Sequence, residues 1–130
     1  MDLISVTSGH GGGVEVRVRD HRWTCDLSRE DGGSGLGPAP SELLAASLGA
    51  CIGLMVESWC RRQGCAEGGV RVSLTCEMAG KPARLASIVA DLELPPDLPE
   101  EKRAAALRVA QACPIHAALT DPPRIDLELA

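Results

Sequence analysis

Aromatic side chains are nearly absent from this sequence. Phenylalanine and tyrosine do not occur, and the aromatic content of 2% consists of Trp23 and Trp59. Proteins that bind single-stranded nucleic acids rely on stacking bases against aromatic rings, so this class of ligand is disfavoured. The core must therefore be built from aliphatic side chains, alanine and cysteine, for which a hydrophobic content of 45% is sufficient.

Positive charge is also scarce, because 13 lysines and arginines face 18 acidic residues, for a net charge of -5. Nucleic acids and anionic membranes attract basic surfaces, so we expect neither as a partner. Residues 1–10 lack the basic start and apolar run of a signal peptide. The longest uncharged apolar stretch, residues 43–56, is shorter than the roughly 20 residues of a membrane-spanning helix. We therefore expect a cytoplasmic protein.

The length of 130 residues and the apolar periodicity predict a single domain, residues 1–130, that mixes helices and strands. Alternating apolar residues predict strands at 3–6, 14–18, 22–27, 70–77, 85–94 and 124–129. Residues 28–40, rich in glycine, serine and proline, predict a flexible loop. Helices are predicted at 40–63, with Pro40 first and Glu42 in the first turn, at 99–113 and at 114–119.

The first predicted helix is apolar on every side in its middle, which predicts that it is fully buried. A stripe of small residues at helical spacing would let a second helix approach closely: Ala46, Gly49, Ala50 and Gly53. An ordinary alanine-rich core would show the same pattern.

Six cysteines remain to be explained, and a disulfide framework would require a secretory context that the sequence does not indicate. Four of them are interpreted as structural: Cys25, Cys60, Cys65 and Cys76. Cys113 and His116 have the spacing of two metal ligands, but two ligands do not make a site, so we expect no metal and no cofactor.

Cys113 and Cys51 are the candidates for chemistry. If Pro114 begins a helix, Cys113 is its N-cap, where free amides and the helix dipole favour a thiolate; a buried cysteine at a kink is the alternative. Cys51 lies in an apolar helix, where burial raises a thiol pKa, so alone it would be inert. It needs a cation, for which the predicted N-terminal hairpin offers Arg17, Arg19 and Arg22.

Several segments resemble the OsmC/Ohr family. GPAPSELL at residues 37–44 with LGAC at 48–51 is similar to its first motif, CPIH at 113–116 to its second, and LTDPPRI at 119–125 to its C-terminal pattern. RDHR at residues 19–22 resembles the general OsmC-like branch. Ala39 stands where the family usually has asparagine, and Glu42 lies one residue after the glutamate position of the hydroperoxide-reducing branch.

The resemblance implies an α+β fold in which two central helices are wrapped by antiparallel sheets of an intertwined homodimer. It implies that Cys51 attacks a hydroperoxide and that Cys113 resolves the product as a disulfide, which an external dithiol reduces. Arg22, Arg19 and Glu42 are the expected supporting residues. The predicted function is thus a thiol peroxidase, preferring organic hydroperoxides. A slow redox sensor or stress-related binding protein, and a structural protein with packed cysteines, are the alternatives.

Overall fold

Residues 1–44 form the first of two compact units, built on a three-stranded antiparallel sheet. In the computed structural model, which describes residues 3–130, the strands follow the order β1 (Ile4–Ser8), β2 (Val14–Val18) and β3 (His21–Cys25). β1 pairs with β2 across the glycine turn, with Val6 opposite Val16. The alternating valines of β2 share one face of the sheet, as the period of a strand requires, so the predicted hairpin is confirmed.

The loop between β3 and the first helix is fixed by a single carboxylate. The side chain of Asp26 accepts backbone hydrogen bonds at 2.8, 3.1 and 3.2 Å from Leu27, Ser34 and Leu36. The pKa of Asp26 is lowered, chiefly by the Leu36 donor. Gly33 and Gly37 lie so close to neighbouring carbonyl oxygens that any side chain would clash. Residues 26–39 thus form a loop, as predicted, and Asp26 supplies partners for its backbone.

Helix α1 (Pro40–Arg62) begins and ends where the sequence predicts. Pro40 occupies its first position, and the Glu42 carboxylate accepts a hydrogen bond from the Ala39 N–H at 2.9 Å. This bond is half of a capping box, and it stabilises the helix start without the usual polar N-cap. Gly64, with φ +91°, ends the helix at the other side.

The second compact unit, residues 45–130, holds the remainder of α1 and all later elements. These are an antiparallel hairpin of β4 (Arg71–Ala79) and β5 (Arg84–Glu93), a 3-10 turn (Glu100–Lys102), α2 (Arg103–Gln111) and α3 (Pro114–Thr120). The core of this unit joins α1 to α2, and its most buried members include Val56, Cys60, Ala106 and Cys113.

α1 buries one face rather than its whole circumference, which corrects the prediction of a fully buried helix. The buried positions recur every three or four residues: Ala45, Leu48, Gly49, Ile52, Val56 and Cys60. Leu54 is 74% exposed, because the single chain offers nothing to cover that side. An 18-residue window of α1 has a mean hydropathy of 1.6, so by length and composition this helix could cross a membrane. The core helix of a soluble protein passes the same test.

The small-residue stripe of α1 contacts a strand rather than a second helix. A Cβ atom at Gly49 would lie 2.5 Å from Cδ1 of Leu74 on β4, so the missing side chain makes room for that leucine. At Gly53 the nearest atom is Cγ2 of Val72, at 3.9 Å. Within this unit, therefore, the stripe receives side chains of the β4–β5 hairpin.

The predicted final strand, residues 124–129, is not formed in the described chain. Three alternate apolar residues of this segment are more than four-fifths exposed: Ile125, Leu127 and Leu129. A strand needs a neighbour to bond its backbone groups, and the sequence pattern alone does not supply one.

Candidate functional site

Cys51 and Cys113 meet in the second unit, although they lie far apart in the sequence. Cys51 packs against the buried core that contains Cys113, and Cys113 raises the pKa of the Cys51 thiol through a side-chain hydrogen bond. Cys51 is half-buried on α1, and Cys113 is fully buried between α2 and α3. Both cysteines are reduced. The two thiols that the sequence singled out therefore form a contact pair, which is the arrangement that a disulfide requires.

Cys113 is the N-cap of α3, as the sequence predicted. Its backbone is extended, with φ -60° and ψ 129°, and Pro114 follows at the first helical position. The Cys113 sulfur accepts a hydrogen bond from the backbone N–H of His116 at 3.4 Å. Proline suits this position because its missing N–H would have no partner within the helix.

A second amide at the start of α3 affects the other thiol. The backbone N–H of Ile115 lowers the pKa of Cys51, an effect that was not among the sequence-based expectations. The first amides of any helix lack partners inside it, so the residues just after an N-cap cysteine were the available signal. Amides at the start of α3 therefore act on both thiols.

Burial raises the pKa of the Cys51 thiol, and the neighbouring Cys113 raises it further, through a hydrogen bond and through charge repulsion. The Ile115 amide opposes these effects and lowers the pKa. The balance holds the proton on Cys51. Burial thus raises the pKa of this thiol, as the sequence predicted, and no cation of residues 45–130 is among the groups that act on it.

The three candidate arginines belong to the sheet of the first unit. Arg17 on β2 lies directly opposite Arg22 on β3, so their side chains share one face of the sheet. Arg19 occupies the turn between these strands, with φ 52°. All three are exposed, and none forms an ion pair within residues 3–130. They are therefore free to bind an anion, and their role toward Cys51 stays a prediction.

Glu42 serves the helix start, since its carboxylate binds the Ala39 amide. Nine residues separate it from Cys51, which corresponds to two and a half helical turns and so to opposite sides of α1. Its predicted supporting role in catalysis remains a prediction. Of the four cysteines interpreted as structural, Cys76 on β4 is exposed and the other three are buried.

A small apolar cavity lies among the helices and strands that carry the two cysteines. Its volume is about 150 Å³, and α1, the β4–β5 hairpin, α2 and α3 all contribute to its walls, which include Ile52, Val72, Leu92, Leu107, Ala110 and His116. Ile52 follows Cys51 in the sequence, and His116 lies one helical turn after Cys113. The cavity would accept a small apolar group.

Comparison with known proteins gives a consistent result. Residues 32–128 match the family model described as OsmC-like protein. No curated protein sequence matches the chain significantly. Among solved structures, a Psychrobacter arcticus protein assigned to the osmotic stress and detoxification response aligns with a TM-score of 0.81 at 20% identity. That alignment covers 91% of this chain and 88% of the other.

Two further structures carry names that refer to organic hydroperoxide resistance. The protein from Legionella pneumophila aligns with a TM-score of 0.69 and 19% identity over 92% of this chain and 90% of its own. The protein from Bacillus subtilis aligns with a TM-score of 0.64 and 18% identity over 93% of each chain. At these identities the likeness is one of fold, and it confirms the predicted α+β class.

Proposed function

Because the chain belongs to the family of OsmC-like proteins, we propose that it is a thiol peroxidase of the oxidative stress response, with Cys51 and Cys113 as its catalytic residues. The observation that carries the proposal is the hydrogen-bonded pair of reduced thiols at the start of α3. Relatives of the same fold whose names refer to organic hydroperoxide resistance support it.

The reaction consumes one hydroperoxide per pair of thiols. The thiolate of Cys51 attacks a peroxide oxygen, so that an S–O bond forms, the O–O bond breaks and an alcohol leaves. The sulfur of Cys113 then attacks the resulting sulfenic acid, which forms the disulfide and releases water. An external dithiol reduces this disulfide by exchange, and neither a metal nor an organic cofactor takes part. The contact between the two sulfurs supports the second step, because no large movement is needed.

The apolar cavity favours an organic hydroperoxide over hydrogen peroxide. Six of its eight lining residues are aliphatic, and two of the eight, Ile52 and His116, lie close in sequence to Cys51 and Cys113. Burial of an alkyl group there would contribute about 0.8 kcal/mol per methylene to substrate binding. Parallel measurements of kcat/KM with a bulky alkyl hydroperoxide and with hydrogen peroxide test this preference, and equal values would contradict it.

The roles of the two cysteines are assigned by the order of the family motifs, and single variants test them. We expect Cys51→Ser to abolish peroxide consumption in the presence of a dithiol. We expect Cys113→Ser to stop after one event, leaving one added oxygen on Cys51 in the intact mass. If the added oxygen instead appears on Cys113 in the Cys51→Ser variant, the two roles are exchanged. The comparison is informative because the pKa of Cys51 is raised, which keeps this thiol in its less reactive, protonated form.

An arginine of the first sheet, Arg22 or Arg19, is proposed as the cation that activates Cys51. Each Arg→Met variant should shift the pH profile of Cys51 alkylation to higher pH, by about one unit for the residue responsible. Arg29, in the loop after β3, provides a matched control, because its removal changes the net charge equally. Unchanged profiles for Arg17, Arg19 and Arg22 variants would show that the cation comes from elsewhere.

A slow redox sensor is the second candidate function, and the raised pKa of Cys51 favours it, because a protonated thiol reacts slowly. A sensor would form the same disulfide once, without rapid turnover. Steady-state consumption of peroxide with excess dithiol distinguishes the two functions.

We further propose a cytoplasmic homodimer. The exposed side of α1, with Leu54 74% exposed, and the uncovered apolar residues of the C-terminal segment support association with a second copy. Light scattering at micromolar concentration should give twice the monomer mass of 13.6 kDa. A stable folded monomer under these conditions would contradict the dimer without affecting the fold.

A further inference from the structure

Two other cysteines meet where α1 ends. The backbone N–H of Gly64 donates to the carbonyl of Arg61 at 3.0 Å, and that of Cys65 donates to the carbonyl of Cys60 at 3.1 Å. With Gly64 at a positive φ, these two bonds form a Schellman motif. A side-chain contact between the third residue from the helix end and the second residue beyond it frequently accompanies this motif. Here both positions are cysteines, so the backbone geometry favours a contact between the two thiols.

A carboxylate lies close to this pair of thiols. Cys60 and Cys65 affect each other's pKa through a side-chain hydrogen bond, and Asp97 raises the pKa of Cys65. Asp97 is held in place because its Oδ2 also accepts the N–H of Ala66 at 3.0 Å. Cys60 is 1% exposed and Cys65 is 9% exposed, so the pair lies at the edge of the core with Cys65 nearer the solvent.

Charged groups face this pair from both sides. Glu57, one turn earlier on α1, changes the pKa of Cys60, and Asp97 and Lys102 change the pKa of Cys65. Lys102 is oriented by a 2.8 Å hydrogen bond to the side chain of Gln63. Burial raises the pKa of both thiols, Asp97 raises that of Cys65 further, and Lys102 opposes it. The pair is therefore held in its protonated, reduced form near neutral pH.

We propose that Cys60 and Cys65 form a second redox site. A small hydroperoxide oxidises the two thiols to an intramolecular disulfide, independently of Cys51 and Cys113, and the charge of Asp97 slows this oxidation. Cys65 reacts first, because it is the more exposed of the two. The site consumes a second equivalent of hydroperoxide in each chain. It requires no peroxidase turnover at Cys51, so either idea stands if the other fails.

The oxidation balances with the two thiols as the only reductants. Cys65 releases its proton to water, and its thiolate attacks a peroxide oxygen; the S–O bond forms, the O–O bond breaks, and the departing alkoxide takes a proton from water. The sulfur of Cys60 then attacks the sulfenic acid of Cys65. The S–S bond forms, the S–O bond breaks, and the hydroxyl group leaves as water with the proton of Cys60. Two electrons pass from the thiols to the peroxide.

The experiment uses the Cys51→Ser variant of the full chain, treated with excess hydrogen peroxide and then alkylated. Arg61 and Arg62 lie between Cys60 and Cys65, so trypsin separates these two cysteines. Peptide 30–61 of the variant contains Cys60 as its single cysteine, and peptide 63–71 contains Cys65. We expect these two peptides to be recovered as a disulfide-linked pair. Recovery of both peptides alkylated, while exposed Cys76 is oxidised, would overturn the proposal.

Two further variants separate the redox site from mere packing. Adding Cys65→Ser should remove the linked peptides and leave Cys60 alkylated after unfolding. Asp97→Asn keeps an acceptor for the Ala66 N–H but removes the charge that restrains Cys65. Without the Asp97 charge the pKa of Cys65 falls, so more of the thiol is thiolate at pH 7, although each thiolate is less nucleophilic. We therefore expect disulfide formation at pH 7 to accelerate about threefold. Asp91→Asn, on exposed β5, is the charge-matched control. An unchanged rate in Asp97→Asn would refute the restraining role.

Discussion

The N-cap of α3 allows a test that separates the structural role of Cys113 from its chemical role. Cys113 is fully buried, and its sulfur accepts the His116 N–H at 3.4 Å. Replacement by alanine removes both the redox sulfur and the cap. Replacement by serine removes the redox sulfur but keeps an oxygen that caps helices well. The two variants therefore lose the same chemistry and differ in the start of α3.

The expected difference in the free energy of unfolding follows from these contacts. Loss of an N-cap acceptor costs about 0.5–2 kcal/mol. A sulfur is a weak acceptor, so the cost for Cys113→Ala lies toward the lower end, and the buried volume of the sulfur adds about 1 kcal/mol. Serine keeps the cap but places a hydroxyl in an apolar position, which costs about 1 kcal/mol. We expect the alanine variant to be less stable than the serine variant by about 0.5 kcal/mol.

Urea denaturation of the wild type and both variants, at equal protein concentration and with a reductant present, measures the difference. The reductant prevents any disulfide from contributing to stability, and equal concentration removes the effect of association. Peroxide turnover should be lost in both variants. Equal stability of the alanine and serine variants would show that α3 does not depend on its cap, and sustained turnover in either would show that Cys113 does not resolve the oxidised enzyme.

Two further predictions concern the packing and the titration of the second unit. Gly53→Ala should stabilise the protein by about 0.5–1 kcal/mol, because helix propensity improves and the nearest atom to the new Cβ lies 3.9 Å away. Gly49→Ala should stabilise it less, because the new Cβ would displace Leu74. Equal urea midpoints for the two variants would contradict this packing. Three thiols have a pKa above their ordinary value of 9.0: Cys51, Cys60 and Cys65. The folded state therefore holds these protons more tightly than the unfolded state, so stability is constant below about pH 8 and falls as the pH rises beyond 9.0. Thermal unfolding measured from pH 7 to pH 10.5 checks the sign, and a midpoint that rises with pH in this range would refute it.

Local chemistry made the helix limits predictable. Pro40, Glu42 and Gly64 mark the start and the end of α1 through interactions that span only a few residues. The same holds for Cys113 at the start of α3, since Pro114 fixes the next position. The alternating valines of β2 gave the first hairpin for a similar reason.

The incorrect predictions have a different cause. Each depends on which other part of the protein packs against a segment, and a local sequence pattern does not contain that information. The apolar circumference of α1 predicted full burial, but the chain covers only one side of it. The C-terminal alternation predicted a strand without identifying a neighbour for it. The contact between Cys51 and Cys113 was predicted only through the family resemblance, because the number of residues between them does not indicate whether they meet in the fold.

The contact between Cys60 and Cys65 was predictable in principle. A cysteine three residues before the helix end, a glycine just past it and a second cysteine after that glycine have the spacing of a Schellman contact. Considered without the helix end, the same two residues suggest only metal ligation or buried packing. The predicted end of α1 and the positions of the two cysteines, taken together, place the thiols side by side from the amino-acid sequence alone.

The Asp26 loop also affects how this protein can be engineered. Residues rich in glycine and serine are the usual choice for inserting a tag or a protease site, because such segments tolerate extra chain. Here three amides converge on one carboxylate, and Gly33 and Gly37 have no room for a side chain. An insertion between residues 26 and 39 would therefore break a folded element, whereas the turn at Gly80, with open space around it, is the better place to lengthen the chain.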